Sequence, residues 1–244
     1  MTYRAILIDL DGTLLDSIPD LAAAANGMLT ELGAPPLPLE RITTFVGKGT
    51  EQLVRRCLQD EGVHLPADNA SVERALAVFN RHYHESNGRE ATLYPGVLEG
   101  LEAFRAHGAK LAVVTNKPTE FTLPLLKHSG LAPWFDAIVC GDTCERKKPD
   151  PQPLLHACQL LGCAPSETLV IGDSINDAKA ARDAGMAVVA VPYGYNEGMD
   201  IHALDIDGIV FGIDDACRWA FEPAYQSGSS DQRSSATKTS PKQS

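Results

Sequence analysis

The first strand-like run of this chain is separated from the second by about a hundred residues, several times what a strand-to-strand crossover needs. Ala5–Asp9 is a short apolar run rich in isoleucine. The next is Leu111–Thr115, after which similar runs recur at Ala137–Cys140, Thr168–Gly172, Ala187–Val191 and Gly208–Phe211. Between the later runs lie helical patterns, Pro118–Ser129, Pro151–Leu161 and Ile175–Ala184, each closed by a glycine (Gly130, Gly162, Gly185) that can stop a helix. Strands alternating with helices predict an α/β fold with a doubly wound, Rossmann-like parallel sheet.

Val97–His107 supplies the helix that crosses into the second strand, which leaves residues 17–93 over. Their patterns are all helical: Asp20–Leu32 closed by Gly33, Leu39–Phe45, Thr50–Glu61 closed by Gly62, and Ser71–Glu85. We therefore expect residues 1–16 and 94–225 to form a Rossmann-like catalytic core, with 17–93 a helical cap domain inserted in it. Because the insertion leaves just after the first strand, it sits over the carboxyl edge of the sheet, where open α/β folds bind ligands. The last stretch, 226–244, holds seven Ser and a single apolar residue, Ala236, and is expected to be a disordered tail.

Two strand ends carry paired carboxylates. The first runs into Asp9-Leu10-Asp11-Gly12-Thr13, and the fourth into Gly172-Asp173-Ser174-Ile175-Asn176-Asp177. Taken singly, Asp-Gly is ordinary turn chemistry and Asp173 an ordinary helix cap. Four carboxylates delivered to one sheet edge repel one another unless a hard cation bridges them, and oxygen ligands alone suit Mg²⁺. Strand two ends in Thr115-Asn116-Lys117, a hydroxyl and an amide able to bind phosphoryl oxygens or to cap the next helix, and the loop after strand three holds Lys147-Lys148-Pro149, a basic pair that in isolation reads as solvated surface.

The four stations together, DxDGT, Thr-Asn, Lys-Pro and GDSxxD, resemble the motif set of the haloacid dehalogenase-like hydrolases, over essentially the whole chain from Tyr3 to about Glu222. The resemblance implies that Asp9 is the nucleophile, Asp11 the general acid and base, and Thr115 with the backbone around Asn116 the phosphoryl cradle. It implies that Lys148 offsets charge between nucleophile and phosphate. It implies Mg²⁺ held by Asp9, the backbone carbonyl of Asp11 and Asp173, with Asp177 a direct or water-mediated neighbour. Members that are dehalogenases lack the second acid and the transport ATPases carry Thr in its place, so Asp11 leaves a phosphatase or a phosphomutase.

Within the cap, Val46-Gly47-Lys48-Gly49-Thr50 opens a helix, and its exposed N–H groups with Lys48 form a candidate second anion site, or else a tight turn. That segment, with Asp16-Ser17-Ile18-Pro19-Asp20 and Pro192-Tyr193-Gly194-Tyr195-Asn196, resembles the phosphoglycolate phosphatase branch of the superfamily. The branch implies a small phosphorylated acid, 2-phosphoglycolate, as substrate. Other sugar or acid phosphates, a β-phosphoglucomutase-like transfer, and a regulatory phosphate-binding module are the alternatives.

Composition narrows the partners. With 21 basic against 32 acidic residues the net charge is −11, the wrong sign for gripping duplex nucleic acid. The apolar start, Ala5-Ile6-Leu7-Ile8, is far short of a signal sequence or a membrane span, so a cytoplasmic protein is expected, as a monomer or small homo-oligomer. Six cysteines include no CxxC and read as free thiols. His82 and His84, two apart on a helix, face different directions and make a poor ligand pair.

Overall fold

The computed structural model describes residues 3–222; the expected tail, 226–244, lies outside them. In chain order the elements are β1 (Ala5–Ile8), β2 (Leu15–Asp16), α1 (Ile18–Glu31), α2 (Leu39–Thr43), α3 (Thr50–Leu58), α4 (Asn69–Ser86), β3 (Thr92–Leu93), α5 (Val97–Ala106) and β4 (Lys110–Val114). They continue with α6 (Thr119–His128), β5 (Ala137–Val139), α7 (Gln152–Leu161), β6 (Thr168–Gly172), α8 (Ile175–Asp183), β7 (Ala187–Ala190), β8 (Gly208–Ile209) and α9 (Ile213–Phe221).

Side chains alternate across a strand, and here both faces are buried. Ile6 and Ile8 pack with Leu111 and Val113 against Val97, Leu101 and Phe104 of α5, Leu125 of α6 and Ile213 of α9. Ala5 and Leu7 turn the other way, with Ala112 and Val114, against Leu154 and Ala157 of α7 and Ala180 and Ala181 of α8. All six sheet strands are parallel in the order β5-β4-β1-β6-β7-β8. The chain leaves central β1 toward β4 and later returns to its other side at β6, so the order reverses beside β1 and opens a crevice at the carboxyl ends.

The four helices of residues 17–93 bury a core of their own, built on Met28 and Leu29 of α1, Val54 of α3 and Phe79 and Tyr83 of α4, with Phe121 of α6 as the contribution of the sheet layer. Two features at their root have no counterpart in the sequence pattern. The outgoing and returning chains pair as a two-stranded antiparallel ribbon, Leu15 against Leu93 and Asp16 against Thr92. Buried Asp20 then accepts hydrogen bonds from the returning backbone at Gly88 N (2.7 Å), Glu90 N (2.9 Å) and Ala91 N (3.3 Å). Asp20→Ala strands three donors at once and is expected to lower the unfolding free energy by about 2–4 kcal/mol. Urea unfolding measures it, and a loss below about 1 kcal/mol would show that the clasp carries no weight.

Gly33, Gly130, Gly162 and Gly185 follow their helices in left-handed backbone, as the sequence pattern predicts. Gly62 does not: α3 ends at Leu58, and Gly62 instead donates to Asp60 Oδ1 at 3.0 Å in the loop beyond. Helix α9 is an addition to the predicted elements. His82 and His84 do diverge, the first meeting Glu31 and the second Glu120. Among the described residues no helix is long and apolar enough to cross a membrane, and all six cysteines are free.

Candidate active site

The carboxyl ends of β1, β4 and β6 deliver their stations to one crevice. Asp9 still belongs to the sheet through its N–H to Ile171 O (2.9 Å). The chain then turns at Gly12, with φ +86°, where a Cβ would lie 2.5 Å from Asp173 Oδ2. Only glycine supplies that backbone and that clearance, so Gly12 brings the first motif against the fourth. Lys148, in the loop between β5 and α7, is buried with its ammonium fully committed: to Asp9 Oδ1 (2.7 Å), Asp177 Oδ1 (2.6 Å) and Val114 O (2.7 Å). It is not solvated surface, because three oxygens exhaust the donors of one lysine.

Carboxylate oxygens of Asp9, Asp173 and Asp177 lie within 4.8 Å of one another. Burial pushes the Asp9 carboxyl up to about 7, Lys148 pulling it down and the Asp177 charge pushing it up. Burial likewise raises Asp173 well above the carboxylate range, reinforced by the charges of Asp9 and Asp177. Burial alone would depress Lys148, but the two carboxylates hold it well above the ordinary ammonium range. Three carboxylates this close together, Asp173 and Asp177 buried and Asp9 partly so, with Asp9 and Asp173 resisting ionisation, are the donor chemistry that a hard divalent cation relieves, and the set fits Mg²⁺. Asp177 also shapes the helix that carries it. Its Oδ2 accepts from Ser174 N (3.2 Å) and Ser174 Oγ (2.6 Å), which makes Ser174, not Asp173, the cap of α8.

Asp11 stands apart from that cluster. Its Oδ1 accepts from Ser17 Oγ (2.5 Å) and from Lys117 Nζ (2.8 Å). In the sequence Lys117 is no more than the residue after Thr-Asn; its 3% side-chain exposure makes it one of the most deeply placed cations of the chain. Thr115, also buried, accepts Lys117 N on Oγ1 at 3.1 Å. Asn116 donates its amide to Lys148 O (2.9 Å) and to Gly47 O of the cap loop (3.1 Å). Two further residues carry no signal of a site role in their motifs. Tyr195 ties its N–H to Asp173 Oδ2 (2.6 Å) and accepts Ser17 N on its hydroxyl (2.8 Å), while Asn176 reaches Gly47 O at 3.4 Å.

Asp9, Asp11, Thr115, Asn116, Lys117, Lys148 and Asp173 line a narrow opening of about 50 Å³ between sheet and cap, with Leu21, Val46, Gly47, Gly49, Thr50 and Leu53 on the cap side. Lys48, expected with Gly47 and Gly49, is exposed and absent from the lining. The loop turns its glycine backbone to Asn116, through Gly47 O and the close approach of Gly49.

The haloacid dehalogenase-like hydrolase model matches residues 6–191. The phosphoglycolate phosphatase of Nitrosospira multiformis is 51% identical over 218 residues, covering 89% of this chain and 96% of its own. That of Thiobacillus denitrificans is 48% identical over 216 residues, covering 88% and 95%. Among solved structures, a predicted phosphoglycolate phosphatase from Haemophilus somnus superposes with a TM-score of 0.84 at 34% identity, covering 89% of this chain and 98% of that one. With the match spanning both sheet halves and the whole cap, the chain belongs to the haloacid dehalogenase-like hydrolases.

Proposed function

We propose that the chain is a Mg²⁺-dependent phosphomonoesterase that hydrolyses 2-phosphoglycolate to glycolate and phosphate through an aspartyl-phosphate on Asp9. The observation that carries the reading is the division of labour between two carboxylates that are near neighbours in sequence but opposite in surroundings. Asp9 meets Lys148 among the clustered acids, and Asp11 meets Ser17 and Lys117 away from them. Pairs of carboxyls held in different environments are how one site supplies both a nucleophile and an acid.

In this reading an Asp9 oxygen attacks phosphorus as the bond to the ester oxygen breaks, and Asp11 gives that oxygen a proton. Both donors near Asp11 sit on Oδ1, which leaves Oδ2 to carry the proton. Asp11 then takes a proton from water as its oxygen attacks phosphorus, releasing phosphate and restoring Asp9. Thr115 and the backbone at Asn116 hold phosphoryl oxygens, and Lys148 offsets the charge between the two anions. Asp9, Asp173 and the carbonyl of Asp11 would hold Mg²⁺, with Asp177 beside them; when bound it offsets the repulsion between carboxylate and phosphate. Residues 17–93 act as a cap domain that excludes bulk water. The substrate rests on the activity named for the relatives.

The test is phosphate release from 2-phosphoglycolate and a panel of sugar phosphates, with Mg²⁺ and with EDTA. Turnover led by 2-phosphoglycolate and abolished by EDTA is expected. Turnover led by another ester would overturn the substrate, and stimulation by a bisphosphorylated sugar would point to transfer onto a sugar hydroxyl. A second expectation follows from Asp9, which must lose its proton to bind a cation. The Mg²⁺ concentration for half-maximal activity should rise as pH falls below about 7, and a requirement flat from about pH 8 to about pH 5.5 would contradict this ligand assignment.

A further inference from the structure

We infer that Lys117 receives the carboxylate of the leaving group and so selects an acidic phosphate ester over a neutral one. The inference rests on the phosphomonoesterase reading above and deepens it. Among the described residues only two cations line the opening, Lys148 and Lys117. Lys148 has no hydrogen left to offer: its three donors end on Asp9, Asp177 and Val114. Lys117 donates to a single carboxylate oxygen, Asp11 Oδ1, and rests its Nζ 5.0 Å above the ring of Tyr83 in the cap helix α4. A lysine carries three donors, so this one retains capacity for a ligand.

Position argues the same way. Asp11 protonates the ester oxygen, so the leaving group departs past Asp11, and Lys117 Nζ is 2.8 Å from that carboxylate. In 2-phosphoglycolate the carboxyl carbon is two bonds beyond the ester oxygen, which brings the carboxylate to the neighbourhood of whatever flanks the acid. The cap sets no charged side chain in the lining: Leu21, Val46 and Leu53 are apolar, Thr50 offers a neutral hydroxyl, and Lys48 is not among the lining residues. A buried ammonium 2.8 Å from Asp11 Oδ1, with the Tyr83 ring 5.0 Å away and, among the described residues, no second carboxylate bound to it, is placed to receive a second anion. Because Tyr83 belongs to α4, the cap must be seated for the ammonium to be held there.

The experiment compares 2-phosphoglycolate with 2-hydroxyethyl phosphate, which keeps the ester and the length but replaces the carboxylate by an alcohol. The wild type should favour the first, and Lys117→Met should collapse that ratio of kcat/KM by roughly 10²-fold, the effect of removing one partner of a shielded charge pair. Lys117→Arg, which keeps the charge, should retain most of the preference. Equal losses on both esters in Lys117→Met would mean that Lys117 only positions Asp11, and undiminished activity on both, with the wild-type preference kept, would return the role to the cap backbone at Gly49 and Thr50; either overturns the inference. If Lys117→Met fails to fold by circular dichroism, Lys117→Arg decides, since loss of preference with charge retained is equally fatal. A wild type that does not discriminate removes the substrate reading as well, and is recognised from the wild-type data alone.

Discussion

Asp9→Asn is expected to lower phosphate release by about 10⁴-fold or more while making the cation-free protein more stable than the wild type at about pH 8. The first effect is loss of the nucleophile, for which the amide offers no substitute. The second follows from the same burial. A carboxyl raised to about 7 in the fold binds a proton there that the unfolded chain, with its ordinary value of 3.8, has already released. Between those two values stability falls as pH rises, and above about 7 the full cost of an ionised, buried Asp9 is borne. An amide removes that cost, and its Oδ1 can still accept from Lys148, though without the charge. Thermal melts of both proteins in EDTA at about pH 5 and about pH 8 check this. The stabilising effect should be larger at the higher pH, and a variant less stable than wild type at both values would contradict the electrostatic account.

Asp11→Asn should slow turnover of alkyl phosphates by about 10² to 10⁴, the usual effect of one acid–base group. The loss should be much smaller for the first chemical step on p-nitrophenyl phosphate, whose leaving group departs without a proton. Hydrolysis of the aspartyl-phosphate still needs the base, so the aryl ester should show a burst of nitrophenol followed by slow steady turnover. Removing the charge also leaves Lys117 without its ionic partner, so circular dichroism must first show an intact fold. Near wild-type steady turnover on alkyl esters would exclude Asp11 from the chemistry.

What can be read from sequence and what cannot divides along a physical line. The six sheet strands, the helices between them and the acidic strand ends are legible because each is a local pattern: an apolar run, a helical period, a carboxylate at the point where the run stops. Boundaries move by a residue or two at frayed ends. The β2–β3 ribbon pairs two residues with two, too few to show any alternation. Helix α9 opens on Ile213-Asp214-Asp215 after Phe211, and its apolar stripe is short enough to pass for the end of the strand before it. Lys117 is invisible for a different reason. Its meaning depends on Asp11, 106 positions earlier, and on Tyr83 from the cap, and no spacing rule links them. Lys48 is the opposite case, a charge conspicuous in the sequence that lies outside the lining of the opening.

The central place of β1 in the sheet has a consequence for how the chain is made. Ile6 pairs in register with Leu111 on one side and Leu169 on the other, so β1 leaves the ribosome long before either neighbour. At synthesis rates of about 5–20 residues per second, the second neighbour arrives roughly ten to thirty seconds after the first strand. The cap helices, whose partners are close in sequence, can assemble meanwhile. For that interval Ala5-Ile6-Leu7-Ile8 is an unpaired apolar edge, the kind of segment that pairs with other chains. Yield of folded protein should therefore be limited by how well β1 is shielded in the nascent chain, and less by the stability of the finished enzyme.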